Sequence, residues 1–387
     1  MRELRLGGPH ARRRREDTLR DGALVVTSPR GLARDVEFLV ESLPAHDPGR
    51  SLFGMDAEAA AAMAASVLWP GAEPCWFHMD AYVADRAAAT LADNDVRGVR
   101  VEVAADLPRG PFDLVALPFP ASSDHQLMWD LLEAAHDALA PGGRLVAATD
   151  GKPDALRDAV KKVFRNVTPG RFGRRGGASF YATRKRVDPV LTDRAHVVRA
   201  VIRPADGGPE TTLDIETRPG TFAYRRLDPG TRALAEAWAP AGERAVLDLG
   251  AGCGALGIHA ALRLPEAHVT LVDSNARAIG CAERSAAAAG LADRVTAVVR
   301  TDLENLPEAP GGGYDLVLAN PPYFGDFRIA RSFSGAARAA LRPGGRALMV
   351  ARTGGAGTAL REILDDVFGG AATVERNGYD IVSAARR

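Results

Sequence analysis

The chain has 387 residues, 46% of them hydrophobic and 25% charged, a mixture that builds globular cores and excludes a disordered or collagen-like polypeptide. Forty-nine basic residues balance forty-nine acidic ones, so any affinity for nucleic acid has to come from local patches. Three cysteines without a CxxC pair (Cys75, Cys253 and Cys281) argue against a disulfide scaffold and against a zinc site, and suit a reducing cytoplasm. No apolar run is long enough to span a bilayer, and the polar, arginine-rich start lacks the apolar segment of a signal peptide. At about 150 residues per domain, the length predicts two domains.

In chain order, residues 12–15 are consecutive arginines, and Leu52-Phe53-Gly54-Met55-Asp56 reads as a strand and turn without alternating glycines. Residues 76–79 read as a second strand, followed by Asp80. Phe112-Asp113-Leu114-Val115 and Pro141-Gly142-Gly143-Arg144 then recur 202 residues later, as Tyr314-Asp315-Leu316-Val317 and Pro343-Gly344-Gly345-Arg346. Two matched blocks at one offset predict two tandem domains of the same α/β fold, over 1–190 and 191–387.

From 160 to 186 there are nine basic residues and no acidic one, Arg171, Arg174 and Arg175 among them, with Phe172, Phe180 and Tyr181 interleaved and Gly173, Gly176 and Gly177 loosening the segment. Such a stretch suits phosphate contacts and base stacking, or is simply a solvated face. The histidines, His78, His125, His136, His259 and His268 among them, have no ligand spacing, and no metal is expected.

Residues 197–203, 210–216 and 221–224 alternate as short strands do, predicting a hairpin lid over about 195–225 ahead of the second domain. Strands are then predicted at 245–249, 269–273, 295–300, 314–319 and 347–351, and helices up to 264, over 276–289, near 332–341 and over 358–367. Apolar strands alternating with helices make a parallel sheet covered on both faces. Pro343-Gly344-Gly345 is expected to stop a helix, and Asn377-Gly378 to turn a closing hairpin.

Asp248-Leu249-Gly250-Ala251-Gly252-Cys253-Gly254 follows a strand and opens a helix, where glycines let the backbone approach a ligand. Asp273, at the end of the next strand, is placed for ribose hydroxyls. Two ligands fit: a dinucleotide, by the pattern Gly252-x-Gly254-x-x-Gly257, and S-adenosylmethionine (SAM), by an acid two residues before three alternating glycines. Asp302 either receives an adenine amino group or caps a helix, and Asn275 is a helix cap.

Asn320-Pro321-Pro322-Tyr323 follows the strand at 314–319. The amide of Asn320 and a backbone carbonyl near Pro321 offer two acceptors that hold a planar amino group by its hydrogens and aim its lone pair; proline contributes no competing N–H. Tyr323 offers a stacking face. At the same offset the first copy has Pro118-Phe119-Pro120-Ala121, without the amide.

This pair of motifs resembles class I SAM-dependent methyltransferases acting on amino groups of planar substrates. Ile215–Phe222 and Leu227–Leu234 are similar to the segment ahead of the glycine loop in the bacterial ribosomal RNA guanine-N2 methyltransferases. Those are tandem enzymes with two Rossmann-like class I methyltransferase domains, the N-terminal one degenerate. The resemblance implies SAM as cofactor and ribosomal RNA or a ribosomal subunit as partner. It places Thr231 near the methionine end of SAM and Phe222 near the target base. It implies catalysis by domain 191–387 and RNA recognition by domain 1–190. The guanine enzymes usually have phenylalanine where this chain has Tyr323; tyrosine is common in glutamine-N5 and adenine-N6 relatives. Those chemistries, and a non-catalytic RNA-binding assembly factor, are the alternatives.

Overall fold

The computed structural model describes residues 2–6, 15–22, 24–28, 31–174, 176–185, 188, 190–322 and 327–387, with the backbone alone at Arg2 and Asp21. Contacts divide the chain into two units, Met1–Arg194 and Ala195–Arg387.

The first unit opens with a three-stranded sheet of β1 (Arg2–Arg5), β2 (Arg15–Leu19) and β3 (Leu24–Ser28), in the order β1-β3-β2. Helix α1 (Arg34–Glu41) leads into an alternating series: β4 (Ser51–Gly54), α2 (Ala60–Leu68), β5 (Cys75–His78), α3 (Ala81–Asp93), β6 (Arg100–Val103), β7 (Phe112–Pro118), α4 (His125–Ala138), β8 (Leu139–Thr149), α5 (Pro153–Phe164), β9 (Thr168–Phe172) and β10 (Ala178–Thr183). The sheet runs β6-β5-β4-β7-β8-β10-β9.

The second unit begins with the hairpin β11 (His196–Ile202) and β12 (Thr211–Thr217), then α6 (Pro229–Ala237). The series repeats: β13 (Ala245–Leu249), α7 (Ala255–Arg263), β14 (His268–Asp273), α8 (Ala276–Ala288), β15 (Val295–Val299), β16 (Tyr314–Ala319), α9 (Arg328–Ala340), β17 (Leu341–Arg352), α10 (Gly355–Phe368), β18 (Ala372–Arg376) and β19 (Tyr379–Ala385). Its sheet order, β15-β14-β13-β16-β17-β19-β18, matches the first strand for strand. Alternate residues feed opposite faces: Leu247, Val317 and Met349 enter one core, and Val246, Leu316 and Leu348 the other.

The duplication reaches individual hydrogen bonds. Asp113 takes the Arg50 N–H at 2.9 Å, and Asp315 takes the Arg244 N–H at 2.6 Å. The Arg184 guanidinium donates to the carbonyls of Asp137 and Leu139, and Arg386, 202 residues on, donates to those of Ala339 and Leu341. Arg184 therefore secures the end of a helix, although it belongs to the basic run read from the sequence.

Three local expectations change. Pro343-Gly344-Gly345 does not stop α9, which ends at Ala340; it forms an irregular start within β17, where pairing slips between Tyr314 and Leu316. Gly142 and Gly344, at φ +82° and +80°, make the same bend in both copies. The hairpin is not a loose lid, because Ile202, Leu213 and Ile215 are buried with Leu256, Ile258 and Cys281 of α7 and α8. Residues 221–224 form turns rather than a strand. The closing hairpin does turn at Asn377-Gly378, both residues having positive φ as a type I′ turn requires.

Candidate active site

The strand order of the second unit reverses between β13 and β16, and ligands of open α/β sheets bind at the carboxyl ends of the strands flanking such a point. Leu249 pairs with Ala319 across the two strands, so Gly250 and Asn320 leave the sheet side by side. Leu249 also pairs with Val272, and Asp273 with Val299, which brings the predicted acid and the approach to Asp302 to the same edge.

The glycine loop is tied down from below. Gly250 and Ala251 both donate N–H to the Val272 carbonyl, at 2.8 and 2.9 Å. The Gly252 N–H donates to Asp273 Oδ2 at 2.8 Å, and Asp273 Oδ1 takes the Asn275 N–H at 2.8 Å. A side chain at Gly252 would point into open space, so the backbone is bare on its outer side, and φ there is +54°. Asp248 lies underneath, 1% exposed, with Oδ2 accepting the Gly257 N–H at 2.8 Å. Burial pushes its carboxyl up to about 7, against the pull of that N–H. Gly257 lets α7 lie close on β14: a Cβ there would stand 2.1 Å from Leu271.

Asn275 caps α8 as expected, Oδ1 accepting from Arg277 and Ala278 N–H at 3.0 and 3.1 Å. Asp302 caps no helix. It braces an exposed bend, accepting the Glu304 N–H at 2.8 Å and a hydrogen from the Asn305 amide, which lowers its carboxyl pKa.

Asn320 is the centre of a contact that sequence reading missed. Its Nδ2 donates to Asp228 Oδ2 at 2.8 Å and to Thr231 Oγ1 at 3.1 Å. Asp228 is the N-cap of α6, its Oδ2 also taking the Thr231 N–H at 2.9 Å. Asp-Pro-Gly-Thr reads as an ordinary helix start, and its partner lies 92 residues away, so no local signal reveals the second role.

The segment 218–227 connects the hairpin to Asp228 along this edge. Its Pro219 carbonyl takes a hydrogen bond from the buried Arg277 guanidinium at 2.7 Å, and its Gly220 carbonyl takes one from Asn275 Nδ2 at 3.0 Å. Ala223 and Arg225 both have left-handed φ, +56° and +65°. Strain of this kind accumulates at functional loops. Phe222 projects from it, 63% exposed, and Arg225 and Arg226 are exposed beside it. Pro321 is buried and Pro322 half-buried; Tyr323 lies outside the described residues.

In the first unit the equivalent positions carry other residues, Pro118 standing at the place of Asn320. Phe119, the residue after Pro118, is buried, and Met55 occupies a left-handed turn, φ +64°, with its N–H on the Phe77 carbonyl as Gly250 has on Val272. The basic segment is more ordered than expected. Arg171 and Phe172 lie on the edge strand β9, Arg171 pairing with Glu41 at 2.9 Å, and Arg174 is exposed beyond it; Arg175 lies outside the described residues. Phe172 is exposed, but Phe180 is buried beneath it at 5.9 Å and Tyr181 is half-buried, because β10 is interior to the sheet. Gly173 and Gly177 form a bonded turn, N–H to carbonyl at 3.1 Å, rather than a loose linker. Among the described residues no cluster fits a metal ion, and no helix is long and apolar enough to cross a membrane.

Comparison with known proteins agrees with this edge. Residues 212–383 match the methyltransferase small domain family. The ribosomal RNA large subunit methyltransferase G of Ectopseudomonas mendocina is 34% identical over 284 residues, 67% of this chain and 68% of that protein. The protein of the same name from Streptomyces griseus is 32% identical over 311 residues, 76% of this chain and 77% of that one. A 16S rRNA guanine N2 methyltransferase of T. thermophilus, solved with AdoMet and guanosine, shares the fold across 92% of both chains at a TM-score of 0.72 and 23% identity. The bare outer side of Gly252 and the carboxylate of Asp273 at the end of β14 suit SAM, the cofactor of this class. The chain belongs to the family of class I SAM-dependent methyltransferases that includes the ribosomal RNA large subunit methyltransferase G enzymes.

Proposed function

We propose that the second unit methylates the exocyclic N2 of a guanine in ribosomal RNA and that the first unit helps to hold the RNA. The observation that carries this reading is the Asn320 amide beside the glycine loop, its NH2 turned to Asp228 and its Oδ1 to the opposite side.

In this reading Gly250, Gly252 and Gly254 cradle SAM with their backbone, Asp273 takes its ribose hydroxyls, Asp302 lies toward the adenine and Thr231 toward the methionine end, with Asp248 supporting the loop from beneath. Bound there, SAM supplies an electrophilic methyl group on a sulfonium sulfur. Asn320 Oδ1 and a carbonyl near Pro321 accept the two hydrogens of the guanine amine. That draws the nitrogen lone pair out of conjugation with the ring and points it at the methyl carbon. SAM held there would supply the methyl group to this nitrogen and would leave as the neutral thioether; the nitrogen's proton would go to water, so no strong side-chain base is required. Catalysis is mainly alignment, an effect that reaches several powers of ten for well-oriented groups. Pro321 and Pro322 keep the turn rigid without adding donors, and Phe222 and Tyr323 offer aromatic faces for the base. Arg171, Arg174 and Arg175, with exposed Phe172, contribute phosphate and stacking contacts from the first unit. A second reading, transfer to adenine N6 or a glutamine side chain, is favoured by the tyrosine at 323; the duplicated first unit favours ribosomal RNA.

The test is transfer from tritiated SAM to rRNA and ribosomal subunits of cells lacking the gene, followed by nucleoside mass spectrometry. N2-methylguanosine is expected with wild-type protein. With Asn320→Ala, transfer should fall at least about 1,000-fold, with SAM affinity kept within about threefold. Label in protein or adenine alone refutes the guanine assignment.

A further inference from the structure

We propose that Asp228 is a positioning residue for transfer: its carboxylate fixes which way the Asn320 amide faces. The inference rests on the role given to Asn320 above. An amide is nearly symmetric in shape, and its two ends differ only in what they offer, two donors or one acceptor. The sequence Asn-Pro-Pro-Tyr does not by itself tell which end faces the substrate. Asp228 decides it. Its Oδ2, already bound to the Thr231 N–H at 2.9 Å, lies 2.8 Å from Asn320 Nδ2, and the Thr231 hydroxyl oxygen lies 3.1 Å from the same nitrogen. Both N–H bonds of the amide are thereby directed to the start of α6. A flipped amide would bring its oxygen against a carboxylate with no hydrogen between them. The arrangement holds Oδ1 on the side away from Asp228, as an acceptor, which is the orientation an incoming amino group needs.

The carboxylate adds a second effect. A negative charge on the donor end of an amide polarises it and makes the far oxygen a better acceptor. That is favourable as the substrate nitrogen becomes positive during transfer. Helix capping alone does not require this geometry: a serine would cap α6 without extending to Asn320.

This difference supplies the test. In the full-length protein, Asp228→Ser should keep the thermal midpoint and SAM affinity near wild type. It should lower kcat about 100-fold, the scale of a misaligned reacting group, with KM for the acceptor nearly unchanged. Asp228→Asn, which retains an oxygen within reach of Asn320, should recover part of the loss. Asn320→Asp presents an acceptor oxygen whichever way it turns, so it no longer needs orienting. Asp228→Ser combined with Asn320→Asp should then be no slower than Asn320→Asp alone, a non-additivity expected only of directly coupled residues. Wild-type kcat in Asp228→Ser, or full additivity in the double variant, overturns the proposal. If wild-type protein labels adenine or glutamine instead of guanine, the guanine assignment fails; the same series on that acceptor still decides the role of Asp228.

Discussion

Asp248 makes the stability of the second unit depend on pH in a way that one substitution removes. Its carboxyl is buried with no cationic partner among the described residues, and its pKa rises from 3.8 to about 7. The folded protein therefore retains a proton that the unfolded chain gives up above pH 4. The stabilisation is complete below pH 4, is lost as pH rises toward 7, and is flat beyond. A rise of that size corresponds to about 4 kcal/mol, of which roughly 3 kcal/mol fall between pH 5 and pH 8. Asp248→Asn preserves the size of the side chain and the acceptor for the Gly257 N–H, but carries no charge at any pH. The variant should gain on wild type by roughly 3 kcal/mol between those two pH values, read by urea unfolding at each. Asp35 and Asp56, both raised to about 6 by burial, act in the same direction in the first unit. They are common to both proteins and cancel in the difference. A gap between variant and wild type that is the same at pH 5 and pH 8 refutes the reasoning.

Two further outcomes follow from the geometry. Gly257→Ala places a methyl group 2.1 Å from Leu271 and 3.2 Å from Asp248; it should cost about 1–3 kcal/mol in unfolding experiments and weaken SAM binding measured by calorimetry. Replacing Arg171 and Arg174 together with alanine should lower RNA affinity and reduce the slope of log affinity against log salt by about 1.5, whereas an unchanged slope would mean that these residues are only solvated.

What the sequence made legible was what the backbone requires locally. A strand that must turn at once into a helix needs left-handed residues, so Gly250, Gly252 and Gly254 stand out, and an acid closing the next strand, Asp273, completes the pattern. The duplication was visible because identical helix-to-strand bends keep Pro-Gly-Gly-Arg at one spacing. Contacts between distant segments left no such trace. Asp228 looks like a cap because it is one, and Arg277 looks like any surface arginine on α8 until its guanidinium is found buried under Pro219. The basic segment misled for a related reason. Phe172 and Phe180 are eight residues apart in one charged stretch, yet β9 is an edge strand and β10 an interior one, so only the first meets solvent. The turn at 221–224 misled because alternation suggests a strand only where a partner strand is available.

The paired contacts of Arg184 and Arg386 bear on how two such halves come to differ. Each guanidinium grips carbonyl oxygens, which every amino acid possesses, so the strap tolerates nearly any neighbouring side chain. Architecture maintained in this way is indifferent to the residues on which chemistry depends. One half could thus carry Pro118 where the other carries Asn320, with the neighbouring Phe119 buried in its core, while its scaffold stayed intact.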